Sequence, residues 1–102
     1  MATDHSFDNQ SLKAIEKQLL VYRKALLDAK SLEKDKSFVK QYDDHIKSLD
    51  KIENAVNNNN LPLLKYLIDS ESRYFGWSYL PNDYGENAEN GFWQLKKLIL
   101  NE

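Results

Sequence analysis

The stretch LKAIEKQLLVYRKALLDA, residues 12–29, decides the fold class. Its apolar positions recur at steps of three and four residues, the period that places side chains on one face of an α-helix. These positions are Leu12, Ile15, Leu19, Tyr22, Leu26 and Ala29. Leu20, Val21 and Leu27 adjoin this stripe, and we expect them to widen it, as in a helix of a bundle. The pattern predicts a first helix over residues 8–30.

Three further segments show helical spacing. Residues 37–57 repeat the period and predict a second helix, which a short polar linker joins to the first. Pro62 follows a run of four asparagines and is suited to the first turn of a new helix, with Asn60 as its cap. The third helix is therefore expected over 61–75, ended by Gly76, with a buried face formed by Leu63, Leu64, Leu67 and Ile68. The fourth is expected over 84–100, with one face formed by Ala88, Phe92, Leu95 and Ile99.

The composition agrees with a few long helices. The chain has 102 residues, which is enough for one domain, and only three glycines and two prolines, which is few for a protein of many strands and turns. Short connections between amphipathic helices favour antiparallel neighbours. The sequence thus predicts an all-α fold, a single domain over residues 1–102 built as an antiparallel bundle of about four helices.

Chemistry-bearing motifs do not emerge from the sequence. There is no cysteine, no Gly-x-Ser-x-Gly sequence and no glycine-rich phosphate loop. His45 follows Asp43 and Asp44, but adjacent helical residues point in different directions, so these three are interpreted as a solvated helix face. We therefore expect no catalytic residue, no metal site and no cofactor, and a protein that is not an enzyme.

Charge and hydropathy limit the remaining classes of partner. The net charge is −2 and the pI is about 5.7, well below that of a typical DNA-binding domain. No apolar run reaches the ~20 residues that a membrane-spanning helix needs. Residues 1–5 have no basic end followed by an apolar stretch, as a secretory signal would. We expect a cytoplasmic protein that binds neither nucleic acid nor membrane.

One segment concentrates both aromatic and acidic side chains. Residues 66–93 contain eight of the twelve aromatic residues, and residues 69–89 contain five acids against Arg73 alone, a net charge of −4. Tyrosine and tryptophan are enriched at binding hot spots, and surrounding acids steer a basic partner. We expect Phe75 and Phe92 in the core. The predicted partner-binding residues are Asp69, Glu71, Trp77, Tyr79, Asp83, Tyr84, Glu86 and Glu89.

The same segment carries a family resemblance. The run RYFGWSYL (73–80), the acidic turn after it that contains Gly85, and the run FWQL (92–95) resemble small bacterial immunity proteins of contact-dependent growth inhibition and related polymorphic toxin systems. The resemblance covers about a quarter of the chain. It implies a non-catalytic inhibitor that binds tightly over the active site of one cognate toxin, a basic nuclease-type domain. Alternatives are a small helical regulatory or DNA-associated protein and a small structural subunit.

Overall fold

The computed structural model describes residues 9–77 and 83–100, and these fold into helices with no strand among them. The helices are α1 (Asn9–Leu32), α2 (Lys36–Asn57), α3 (Leu61–Trp77) and α4 (Asp83–Leu100). The predicted all-α class is confirmed. The predicted bounds agree to within two residues, and residue 8, the expected start of the first helix, lies outside the described part.

Contacts between helices fix their directions. Lys30 of α1 pairs with Asp43 of α2 at 2.6 Å, and Arg23, two turns earlier, pairs with Asp50, two turns later, at 2.7 Å. The two helices are therefore antiparallel.

The same reversed order holds for α2 and α3, because His45 in the first half of α2 contacts Glu71 in the second half of α3, while Asn58 after α2 and Leu63 at the start of α3 line one cavity. It also holds for α3 and α4, where Ser72 contacts Lys96 and Phe75 contacts Phe92. The helices form a ring in which α1 packs most extensively against α4, and α3 packs only lightly against α4.

The connection between α1 and α2 is short, since only residues 33–35 are non-helical. Asp35 caps α2, because its Oδ1 accepts from the backbone N–H of Ser37 at 2.9 Å and from the Ser37 hydroxyl at 2.6 Å. These bonds lower the pKa of the Asp35 carboxyl. The shortness of the linker holds α2 against α1 as a helical hairpin.

The asparagine tract has a defined role at the end of α2. Asn59 has φ 52°, in the left-handed region that asparagine tolerates better than most residues. The Asn59 N–H donates to the Val56 carbonyl at 3.0 Å and the Asn60 N–H to the Ala55 carbonyl at 2.9 Å, which is a Schellman motif. Asn60 Oδ1 then accepts from the Leu63 N–H at 3.2 Å, so the predicted cap of α3 is confirmed.

The core lies along one stripe of each helix. Five of the six stripe positions predicted for α1 are buried and Leu12 packs against them, and all four predicted for α4 are buried: Ala88, Phe92, Leu95 and Ile99. The expected widening of the α1 stripe is wrong, because Leu20 is 66% exposed and Val21 and Leu27 are about half exposed. They lie on the face of α1 that none of the other described helices covers.

Gly76 does not end α3 as predicted. The helix continues to Trp77, and no described glycine has a positive φ, so Gly76 is not a left-handed cap. Gly91 does lie in a close helix contact, as its position in the fourth helix suggests. A Cβ atom there would lie 3.5 Å from Cα of Tyr22 in α1.

We predict opposite effects for substitutions at these two glycines. A Cβ at Gly76 would meet nothing within 4 Å, so Gly76→Ala should raise the free energy of unfolding by about 0.4–1 kcal/mol through reduced backbone entropy of the unfolded chain. Gly91→Leu should lower it by about 1–3 kcal/mol because the larger side chain overlaps Tyr22. Urea unfolding followed by circular dichroism measures both, and a destabilising Gly76→Ala would restore its role as a cap.

Candidate binding surfaces and the buried polar cluster

Two polar residues expected at the surface lie in the core. Glu71, predicted to contact a partner, is only 2% exposed, and His45, predicted to lie on a solvated helix face, is fully buried. Both predictions are wrong for the same reason, since each residue occupies a core position of its helix. Glu71 follows Leu64 and Ile68 at helical spacing in α3, and His45 lies between Tyr42 and Leu49 in α2.

Glu71, His45 and Tyr22 form a buried polar cluster that joins three helices. Oε2 of Glu71 lies 2.5 Å from Nδ1 of His45 on α2 and accepts the hydroxyl of Tyr22 on α1 at 3.0 Å. An ionised Glu71 can only accept hydrogen bonds, and Nδ1 of His45 is then the donor in this contact. The other ring nitrogen, Nε2, is buried and has no hydrogen-bond partner among the described residues.

Aromatic rings surround the cluster. Tyr74 and Phe75 of α3 both stack on the imidazole of His45, with ring centroids 4.3 Å away and interplanar angles of 21°. Phe75 also stacks on Phe92 of α4 at 4.9 Å. Phe75 and Phe92 are buried, which confirms their expected place in the core. The aromatic rings therefore connect the polar cluster to the fourth helix.

Two tyrosines near Glu71 have altered acidity. Burial raises the pKa of Tyr22 well above its ordinary value of 10.0, and the charge and hydrogen bond of Glu71 act in the same direction. Burial also raises the pKa of Tyr74, and the negative charges of Asp44 and Glu71 add to this effect. In both cases the environment disfavours a second negative charge beside Glu71.

The other predicted acids differ in their exposure and in their ion pairs and hydrogen bonds with described residues. Asp69 is exposed but forms an ion pair with Arg73 one turn later. Glu86 is exposed and makes no ion pair with any described residue. Glu89 is half-buried, and its Oε2 accepts from the indole N–H of Trp93 at 3.0 Å. Glu86 and Glu89 lie one turn apart near the start of α4.

The structure separates Asp69 from these two glutamates. Lys96 donates to the Ser72 hydroxyl at 3.0 Å, which sets the register between α3 and α4. Asp69 therefore lies level with the last turn of α4, about 20 Å from the turn that carries Glu86. The acidic aromatic segment thus does not form one surface. Its described exposed acids divide between the two ends of the α3–α4 pair.

Four predicted partner-binding residues, Trp77, Tyr79, Asp83 and Tyr84, lie wholly or partly outside the described part of the structure. Trp77 is the last residue of α3, and Asp83 and Tyr84 lie in the first turn of α4. The side chains of these three residues lie outside the described part of the structure, as does the whole of Tyr79. They adjoin Glu86 and Glu89 in sequence. The group of Glu86, Glu89 and Trp93 is hereafter the acidic end of α4.

A groove between α2 and α3 was not predicted from the sequence. It consists of two cavities of about 290 and 220 Å³ that share Lys51 and Leu67 as lining residues. Tyr66, on its rim, is 65% exposed. Helical spacing predicted Leu63 on the buried face of α3, and this prediction is wrong, because Leu63 is 43% exposed and lines the groove.

Comparisons with protein-family models, with curated proteins and with solved structures found no match to this chain. Within residues 9–77 and 83–100, no three His, Cys, Asp or Glu side chains converge as a metal site would require. None of the helices in the described part combines the length and apolar character needed to cross a bilayer.

The raised pKa of Tyr22 predicts how stability depends on alkaline pH. The unfolded chain loses this phenol proton near pH 10 while the folded protein retains it, so the contribution is complete below pH 10 and is lost as pH rises. Tyr22→Phe should lower the free energy of unfolding by about 1.5–3 kcal/mol at neutral pH, because the hydrogen bond to Glu71 is lost. It should also reduce the fall of this free energy at alkaline pH. Tyr66→Phe, at an exposed tyrosine, is the control. If the free energy of unfolding falls equally with alkaline pH in Tyr22→Phe and in the unsubstituted protein, the raised pKa of Tyr22 does not contribute to the decline and the prediction is contradicted.

Proposed function

We propose that this domain is a non-catalytic immunity protein, which neutralises a cognate toxin in the cytoplasm by tight protein–protein binding. The proposal rests first on the resemblance at residues 73–80 and 92–95. The observation that carries it further is the acidic end of α4, where Glu86 is exposed and outside any ion pair of the described residues. An uncompensated acid beside aromatic side chains suits a basic partner.

The arrangement around Trp93 supports a preformed surface. Its indole N–H donates to Glu89, its ring packs edge-on against Phe92 at 5.1 Å, and Lys96 lies 5.4 Å from its ring centroid. These contacts hold the partly buried side chain of Trp93 in one orientation. A side chain ordered before binding loses less conformational entropy when the partner arrives.

Ion pairing on α1 supports a protein partner over nucleic acid. Arg23 contacts both Asp50 and Glu53, Lys24 pairs with Asp28, and Lys30 pairs with Asp43. These four acids neutralise much of the positive charge on α1 that a phosphate backbone would otherwise contact. The regulatory or DNA-associated alternative has no comparable surface in its favour among the described residues.

The proposal predicts that charge reversal at Glu86 slows association. Toxin and immunity genes usually lie side by side, so the expected partner is the protein encoded by the adjacent upstream gene. Glu86→Lys should lower the rate of association with this protein by roughly ten-fold at low salt, because attraction of a basic toxin becomes repulsion. The effect should shrink at high salt, where surface charges are screened. Surface plasmon resonance at two salt concentrations measures both rates.

Glu16→Lys is the matched control, because Glu16 is an exposed acid on α1 and undergoes the same change of charge. Both variants should keep a helical circular dichroism spectrum and unfold at similar urea concentrations. Equal association rates in the two variants would remove the acidic end of α4 from the interface. Failure of the unsubstituted protein to bind the neighbouring gene product would contradict the immunity function itself.

A further inference from the structure

The groove between α2 and α3 lies on a different side of α3 from the acidic end of α4, and the proposed function does not use it. Its two cavities adjoin each other, because Lys51 and Leu67 line both of them. The α2 wall extends from Ser48 to Asn58, which corresponds to about 15 Å of helix. This length accommodates four or so residues of an extended peptide.

The two ends of the groove differ in chemistry. The larger cavity is lined by hydroxyl-bearing side chains: Ser48, Tyr66, Ser70 and Tyr74. The smaller cavity is lined by Ala55, Leu63 and Leu67, with asparagine amides at its edge. Leu63 is 43% exposed, so apolar surface here faces water. A ligand that fills the groove must therefore offer both an apolar group and hydrogen-bonding groups.

Lys51 lies where the two cavities meet and has no acidic partner. Among the described residues it forms no ion pair, whereas Lys40 on the same helix pairs with Asp44. Lys47, one turn before Lys51, is exposed and also outside any ion pair of the described part. Like charges at this spacing repel each other. The middle of the groove thus carries positive charge that a bound anion would neutralise.

The one acid that lines the groove does not satisfy this charge. Glu71 contributes to the wall of the larger cavity, but its Oε2 already accepts from Tyr22 and contacts His45 Nδ1. Its side chain is buried, so most of it faces the core and not the groove. Lys51 therefore remains the charged group that a ligand would meet first.

We propose that the α2–α3 groove binds an acidic segment of a partner protein. A carboxylate of the segment pairs with Lys51, and an apolar side chain occupies the end formed by Leu63 and Leu67. The hydroxyl groups of Ser48, Tyr66 and Ser70 in the larger cavity bond to the segment's backbone. An apolar end beside a positive centre favours a peptide that contains both acidic and aliphatic residues. This site is independent of the proposed function, because it needs neither a toxin nor the acidic end of α4.

Nuclear magnetic resonance of the ¹⁵N-labelled full chain tests the groove directly. The probe is the acetylated, amidated peptide Leu-Glu-Glu-Leu-Glu, and the comparison peptide is Leu-Lys-Lys-Leu-Lys with the same ends. We expect saturable shifts of the amide signals of Ser48, Lys51, Leu67 and Ser70 with the acidic peptide only. Lys51→Gln should weaken this binding about five-fold, the most that a partly exposed ion pair commonly contributes.

Two further variants separate the groove from general electrostatics. Leu63→Ala should also weaken binding of the acidic peptide, because it removes part of the apolar end of the groove. Lys13→Gln removes an exposed charge from α1 and should leave the affinity unchanged. Absence of saturable shifts, shifts located away from the groove, equal binding of the basic peptide, or equal loss in Lys13→Gln would each overturn the proposal.

Discussion

The hydrogen bonds that converge on Oε2 of Glu71 are the interaction on which the rest of the structure depends. A carboxylate buried without partners would cost several kcal/mol, which is a large fraction of the roughly 5–15 kcal/mol that stabilises a typical domain. Here His45 and Tyr22 satisfy it from α2 and α1. Since α3 packs against α2 but only lightly against α4, the bond from Tyr22 adds a link between α3 and α1 that helix packing does not supply.

Both candidate surfaces are linked to the position of α3. The α2–α3 groove exists because Glu71 and Tyr74 of α3 contact His45 of α2 at one end of it. The acidic end of α4 is held mainly by the packing of α4 against α1, and Phe75, whose ring contacts both His45 and Phe92, links it to α3. A buried polar cluster is an uncertain source of net stability but a strong constraint on geometry, because a slip of α3 by one turn would strand Glu71 in the core.

The sequence was sufficient for the fold where apolar residues alone form the stripe. In α4 the spacing of Ala88, Phe92, Leu95 and Ile99 identified the buried face without error, because no polar residue interrupts it. In α2 and α3 the same reasoning failed at His45 and Glu71, because residue type was given more weight than position. Their spacing from Leu49 and Ile68 places both in the stripe, so the signal was present. What the sequence could not supply was their mutual contact, which requires the register between two helices.

A double-mutant cycle between His45 and Glu71 tests the central role of this pair most directly. His45→Phe keeps an aromatic ring for stacking, and Glu71→Met keeps a side chain of similar length, so each removes polarity with little change of shape. Urea unfolding of the two single variants and the double variant gives the coupling free energy. We expect His45→Phe to cost about 3–5 kcal/mol, because it leaves the buried carboxylate with Tyr22 alone. The free energy lost in the double variant should be smaller than the sum of the two single losses by about 2 kcal/mol or more. Losses that add to within about 0.5 kcal/mol would contradict a structure organised around this pair.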